Sequence, residues 1–275
     1  MVSREGQKNI TDLVLNIVLP CNILTSFSQE FAEGTMRQCL MVFLISAGIQ
    51  AFCVLYGRIA YPGETEEHKK CLAYGIICSN AGFLGNPIAE GVFGSVGLMF
   101  ASVYLIPVRV MMWSAGIAIF SGEHDVKGTA KKVVTHPCVL ACAIGLFMMV
   151  QGRIFPEPLL SLLQTLGRCN TALSMLVIGM ILSDIDLKNL ADKTVARYTV
   201  ERLVLIPFLI WIVLLPLVRA KILSSFTVNL SVLLAAMPAG ATTSMLASKY
   251  ECSPDFATRM VILSTLCSIP TIFLA

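Results

Sequence analysis

Residues 71–94 read CLAYGIICSNAGFLGNPIAEGVFG, and their pattern is the strongest indication of the fold. Its length and apolar character are typical of a helix that crosses a bilayer, which needs about 20 residues. Its middle, however, contains glycines, a proline and small polar residues, namely Ser79, Asn80, Gly82, Gly85, Asn86 and Pro87. Proline removes a backbone donor and glycine permits unusual backbone angles, so we predict that this helix unwinds near the centre of the bilayer.

A second stretch, residues 228–250, reads VNLSVLLAAMPAGATTSMLASKY and is interrupted in the same way. Its middle holds Pro238, Gly240, Thr242, Thr243 and Ser244. A simple proline kink explains one such helix, but two interrupted helices at corresponding positions indicate a transporter with inverted repeats. The amino-terminal ends of the half-helices carry free N–H groups and a positive dipole, which suit an anionic substrate.

The composition places both stretches in a polytopic membrane protein. Of the 275 residues, 56% are hydrophobic and 13% are charged, and the mean hydropathy is +0.78. Soluble domains carry about 25% charged residues, so an ordinary soluble enzyme and a disordered chain are both excluded. The net charge of +3 is too small to indicate a nucleic-acid partner. We predict nine apolar spans: 10–27, 37–58, 71–93, 96–120, 135–151, 157–182, 197–218, 227–248 and 256–274.

Basic residues alternate between the two sides of these spans. Twelve of those in loops and flanks lie on one side and four on the other. By the positive-inside rule the amino terminus is predicted in the cytoplasm and the carboxyl terminus outside. The two interrupted spans are five apart. If each repeat has five spans, we expect residues 135–275 to form a complete five-span repeat and residues 1–134 to form a four-span repeat that lacks its first helix.

Sequence motifs give no support for an enzyme. The chain contains no HExxH, GxSxG or P-loop pattern, so hydrolysis and ATP coupling are not expected. The ten cysteines include no CxxC pair and most lie in apolar runs, which predicts free thiols that act as small hydrophobic residues. We therefore expect no metal and no cofactor.

Five motifs give the chain a family resemblance: LNIVLPCNIL at 15–24, SNAGFLGNPIAEGVFG at 79–94, VYLIPVRVMMWSAG at 103–116, LSMLVIGMIL at 173–182 and AAMPAGATTSMLASKY at 235–250. They resemble the auxin efflux carrier family of permeases, more the bacterial malate or malonate type than the plant PIN type. The resemblance implies ten spans in two inverted five-helix repeats and an elevator-type motion. It places Pro87 and Pro238 at the crossing of the fourth and ninth family helices, and it implies a cell-membrane location and a homodimer.

The predicted substrate site consists of the polar and helix-breaking residues of these motifs. Mid-span amides either contact substrate or form interhelical hydrogen bonds, and hydroxyls after the second break either contact substrate or bond freed carbonyls. The set is Asn80, Asn86, Pro87, Arg109, Pro238, Gly240, Thr242 and Thr243.

Charged residues inside spans are expensive and are functional candidates by default. Glu90 is the candidate for proton coupling; the alternatives are an ion pair with an arginine or exposure at the membrane surface. Arg109 either neutralises a substrate carboxylate or pairs with Glu90. Glu201 and Arg202 are adjacent, so they point to different helix faces and are not expected to pair. Arg259 begins the last span and either snorkels or is functional.

The function that follows is a secondary transporter of small organic anions, such as dicarboxylates, that works by alternating access. Its partners are the anion, the lipid bilayer and, as coupling ion, a proton. An intramembrane enzyme needs a catalytic pair, and the sequence contains none. The alternative is a truncated, non-transporting membrane protein with a structural or sensory role.

Overall fold

A computed structural model describes residues 4–28, 34–113, 118–120, 134–152, 154–170, 172–173, 176, 180 and 192–272. This part of the chain is helical, and its only β-type pairing is an isolated antiparallel bridge between Ser79 and Ala239. The all-α class with several apolar helices is therefore confirmed.

Twelve α-helices and three π-helical turns make up the described fold. The helices are α1 (Arg4–Leu13), α2 (Leu19–Ser26), α3 (Thr35–Ile59), α4 (Glu66–Ile77), α5 (Asn86–Trp113), α6 (Pro137–Val150), α7 (Glu157–Gly167), α8 (Lys193–Val200), α9 (Ile206–Arg219), α10 (Ser225–Ala235), α11 (Thr242–Lys249) and α12 (Pro254–Thr271). The π turns are Val14–Val18, Ala81–Gly85 and Glu201–Leu205.

Helices lie at all nine predicted spans, although much of the second half of 157–182 lies outside the described residues. Within the described ranges, three helical stretches can cross a membrane by length and composition: Thr35–Ile59, Ala81–Met112 and Lys193–Arg219. Shorter apolar helices cover Val14–Ser26, Pro137–Val150 and Ser225–Ala235.

The stretch Ala81–Met112 reverses direction at Gly94 and is two helical segments. Gly94 has φ 68° and ψ −163°, which is a conformation that glycine adopts most easily. Three residues later, a Cβ atom on Gly97 would lie 2.4 Å from the carbonyl oxygen of Ala89, so the two segments fold back on each other. The predicted boundary between the third and fourth spans is therefore confirmed.

Each π turn ends two residues before a proline, and the three prolines are Pro20, Pro87 and Pro207. A proline has no N–H, and its ring clashes with the carbonyl group four residues earlier. Widening the preceding turn moves that carbonyl away, which lets the helix continue past the proline.

The described helices pack in two groups. In the first, α2 packs against α6 and α7. In the second, α3 packs against α4, α5 and α10, and α12 packs against α4, α8 and α11. The groups meet where α2 and α6 contact α5. Every residue from 230 to 240 is buried, so the end of α10 and the break that follows it lie inside the second group.

Candidate functional site

The two interrupted helices cross at their breaks. Helix α4 ends at Ile77, and Cys78 is extended. The backbone N–H of Asn80 donates to the carbonyl of Pro238 at 2.8 Å, and the N–H of Gly240 donates to the carbonyl of Cys78 at 2.9 Å. These reciprocal bonds satisfy backbone groups that both breaks expose, which is required in an apolar interior.

The second break lies where the sequence predicts it, but the first lies earlier than the resemblance implies. Ser79 and Asn80 occupy the crossing, whereas Pro87 is the second residue of α5, beyond the π turn. The expectation that Pro87 lies at the crossing is wrong. The first turn of a helix tolerates proline because its N–H groups have no intrahelical partner there.

Arg202 binds the carboxyl-terminal ends of the two half-helices that precede the breaks. Its Nε donates to the carbonyl of Met237 at 3.1 Å and its Nη1 donates to the carbonyl of Ile76 at 3.3 Å. The side chain is buried, and among the described residues it forms no ion pair with a carboxylate. The guanidinium therefore neutralises the negative ends of two helix dipoles at once.

Arg202 was not among the site residues predicted from the sequence. The only indication of a role was its position within an apolar span, next to Glu201. The expectation that these neighbours do not pair is confirmed. Glu201 accepts a hydrogen bond from the hydroxyl of Tyr61 and another, at 2.7 Å, from Nε of Arg197. Burial and the Glu201 carboxylate raise the pKa of Tyr61, so this phenol remains a donor.

The amino-terminal ends of the two half-helices that follow the breaks have no comparable caps. Neither Asn80, before the π turn that leads into α5, nor Ala241, before α11, accepts a side-chain hydrogen bond from the helix it precedes. Other helices of the chain do have such caps, which are provided by Thr65, Asp192 and Ser224. Two positive helix ends without a side-chain cap from the preceding residue thus begin at the crossing.

Two predicted residues near these ends contain buried polar atoms without a hydrogen-bond partner. They are both amide atoms of Asn86 and the hydroxyl of Thr243. A Cβ atom on Gly240 would lie 3.2 Å from the hydroxyl oxygen of Thr242, so that threonine lies directly at the crossing. Buried polar groups are normally paired, so these unpaired atoms are unusual for a protein interior.

Glu90 lies away from the crossing, towards the Gly94 turn. Its carboxylate accepts a hydrogen bond from Nδ2 of Asn22 at 2.9 Å, which joins α5 to α2. Glu90, Asn22 and Arg168 help to line a largely polar cavity of about 300 Å³. This cavity and the larger one described below both lie away from the crossing.

Arg109 does not pair with Glu90, so that alternative is wrong. It is buried on α5 with its Nη1 atom unpartnered, and it interacts electrostatically with His136 and Cys138 at the start of α6. Arg259 forms an ion pair with Asp192, with 3.3 Å between Nη1 and Oδ2. All ten cysteines are free.

Comparison with known proteins places this architecture in a family. The family model described as membrane transport protein matches residues 1–275. The chain is 24% identical to an "Uncharacterized transporter" of Methanothermobacter thermautotrophicus, over 98% of this chain and 88% of the relative. It is 22% identical to an uncharacterized transporter of Methanocaldococcus jannaschii, over 68% of this chain and 64% of the relative. The chain therefore belongs to the membrane transport protein family, which is the auxin efflux carrier family, and is a multi-pass membrane transporter.

Proposed function

We propose that the protein is a secondary transporter that moves small organic anions, such as dicarboxylates, across the cell membrane by alternating access. The anion binds at the crossing, between the amino-terminal ends of the π turn at Ala81 and of α11. The observation that carries this proposal is that both of these ends lack side-chain caps. A carboxylate supplies the acceptors and the negative charge that such ends favour.

The side chains around the crossing support the same ligand. The amides of Asn80 and Asn86 and the hydroxyls of Thr242 and Thr243 provide donors for carboxylate oxygens. The Arg202 guanidinium, on the opposite side, adds positive potential without competing for the anion, because its donors bind the carbonyls of Ile76 and Met237.

We infer that residues 1–134 and 135–275 are inverted repeats, because each range contributes one interrupted helix to the crossing. We infer that the group containing α2, α6 and α7 is a scaffold, against which the group containing the crossing moves in an elevator-type motion.

Glu90 is the proposed proton carrier. Its hydrogen bond to Asn22 joins the two groups of helices. A carboxyl group at such a boundary can change its surroundings when the groups move, and a change of surroundings is what couples protonation to transport.

The proposal is tested by uptake of labelled malate and labelled malonate into proteoliposomes. We expect Asn80→Ala and Pro238→Ala to reduce uptake strongly. Asn229→Ala and Pro216→Ala are matched controls, since both residues are exposed on neighbouring helices and lie outside the crossing. Wild-type uptake in both crossing variants would contradict the proposed site, and no uptake by folded wild-type protein would favour the non-transporting alternative.

A further inference from the structure

A cavity of about 440 Å³ lies at the far end of α10 from the crossing. The start of α3, the end of α9 and the start of α10 form its walls. Two basic residues, Arg37 and Lys221, line it together with the polar residues Gln38, Ser224, Ser225 and Thr227. Among the described residues, two basic side chains and no acidic one line the cavity.

Both basic side chains lack an internal counter-ion in the part of the chain that the structure describes. Arg37 and Lys221 take part in none of the ion pairs found there. Glu30 and Glu33 precede the cavity residue Gly34 in sequence and lie outside the described residues. Two exposed cations in one concave site without a described carboxylate partner favour an anionic ligand.

The backbone at Lys221 gives an independent indication that its side chain is used. The N–H of Lys221 donates to the carbonyl of Val218 and the N–H of Ile222 to that of Leu217, which is the Schellman termination of α9. Lys221 has φ 58°, at the position in this motif that glycine usually occupies. Lysine is less favourable than glycine in this conformation, so the termination of α9 does not explain why a lysine is present at position 221.

Apolar residues place this cavity at the boundary of the hydrocarbon. Met41, Val218 and Leu223 line it, and so does Ile222, whose side chain is 54% exposed. Leu40, beside Met41 on α3, is 53% exposed. On a membrane transporter, exposed apolar residues next to basic ones are typical of a surface that faces lipid chains and headgroups together.

We propose that this cavity binds the phosphate group of an anionic phospholipid headgroup. The Arg37 guanidinium and the Lys221 ammonium would contact phosphate oxygens, Ser225 would supply a hydroxyl donor, and the acyl chains would lie along Leu40 and Ile222. The site is separate from the proposed substrate site, so either proposal can fail without the other.

The test uses the full chain in nanodiscs of phosphatidylcholine, titrated with phosphatidylglycerol. Inorganic phosphate and glycerol 3-phosphate form a second arm. We expect saturable binding of phosphatidylglycerol, weakened about fivefold by Arg37→Gln and about fivefold by Lys221→Gly. Arg58→Gln, which removes an exposed charge at the other end of α3, is the matched control and should bind as wild type does.

Lys221→Gly also separates binding from folding. Because glycine suits the left-handed backbone, this variant should unfold in pure phosphatidylcholine at a Tm equal to or above that of wild type. Binding of the free phosphates through the same two residues would support the phosphate site and assign it to a soluble ligand. Phosphatidylglycerol binding that Arg37→Gln and Lys221→Gly leave unchanged, or no binding of any of these anions, would overturn the proposal.

Discussion

The two sides of the helix crossing differ in how their backbone groups are satisfied. Where the two preceding half-helices end, Arg202 donates to one carbonyl at each break, that of Ile76 and that of Met237. On the amino-terminal side, neither Asn80 nor Ala241 caps the helix that follows it. One side is closed by a fixed internal cation, and the other has no side-chain cap from Asn80 or Ala241.

This difference explains how a broken helix pair can be stable and still bind a ligand. An unpaired carbonyl in an apolar interior costs free energy, and an internal guanidinium removes that cost permanently. Free N–H groups at a helix end carry the same kind of cost until an anion binds them. In the proposed transporter, this asymmetry favours negatively charged substrates. Substitutions on either side of the crossing, or at a neighbouring contact, test that asymmetry.

Removing the Arg202 guanidinium should have the largest effect on the free energy of unfolding. Arg202→Ala leaves the carbonyls of Ile76 and Met237 without their donor, and we expect a loss of about 3 kcal/mol in the free energy of unfolding. Arg202→Lys keeps the charge but not the forked donor geometry, so its loss should be roughly half as large. Thermal unfolding in detergent measures both, and equal stability of Arg202→Ala and wild type would refute the capping role.

Removing a hydrogen bond that holds the second break should have a smaller effect on the free energy of unfolding. The hydroxyl of Ser264 on α12 accepts a hydrogen bond from the N–H of Ala239 at 3.2 Å, in the buried interior. Ser264→Ala should lower the free energy of unfolding by about 1 kcal/mol and reduce anion uptake.

The control for Ser264 is Ser231→Ala. Ser231 is equally buried, but its hydroxyl donates only within α10, to the carbonyl of Thr227 at 2.8 Å. Its removal should change stability by less than about 0.5 kcal/mol. If both serine variants lose the same stability and the same uptake, the bond to Ala239 has no special role.

The smallest structural effect is expected from Glu90→Gln. Glutamine retains an oxygen that can accept the hydrogen bond from Asn22, so the melting temperature should stay close to that of wild type. Uptake should lose its dependence on an imposed pH gradient, because the amide cannot carry a proton. A variant that still responds to the gradient as wild type does would exclude Glu90 as the proton carrier.

Much of the helical layout could be predicted because hydrophobic length is a local property of the sequence. Span 37–58 corresponds to α3, Thr35–Ile59, and the boundary at Gly94 was expected. The second break was also predictable, since Pro238 and Gly240 stand together within an otherwise continuous apolar run.

The first break was less predictable because two signals compete within residues 79–87. Pro87 is the stronger helix breaker in isolation, but a helix accommodates proline in its first turn after a π turn. Which residues lie at the crossing depends on the backbone of Pro238 and Gly240, far away in sequence. The role of Arg202 is equally non-local, since its two partners belong to different breaks.

The substitution Asn80→Asp tests whether an anion binds at the uncapped helix ends of the crossing. A carboxylate at this position can cap the free N–H groups from within the chain and repel an incoming anion, while it stabilises the helix end. We predict that the variant unfolds at or above the wild-type temperature and takes up malate and malonate about tenfold more slowly or worse. Asn229→Asp should leave uptake unchanged. Uptake by Asn80→Asp at the wild-type rate and apparent affinity would contradict anion binding at the open helix ends.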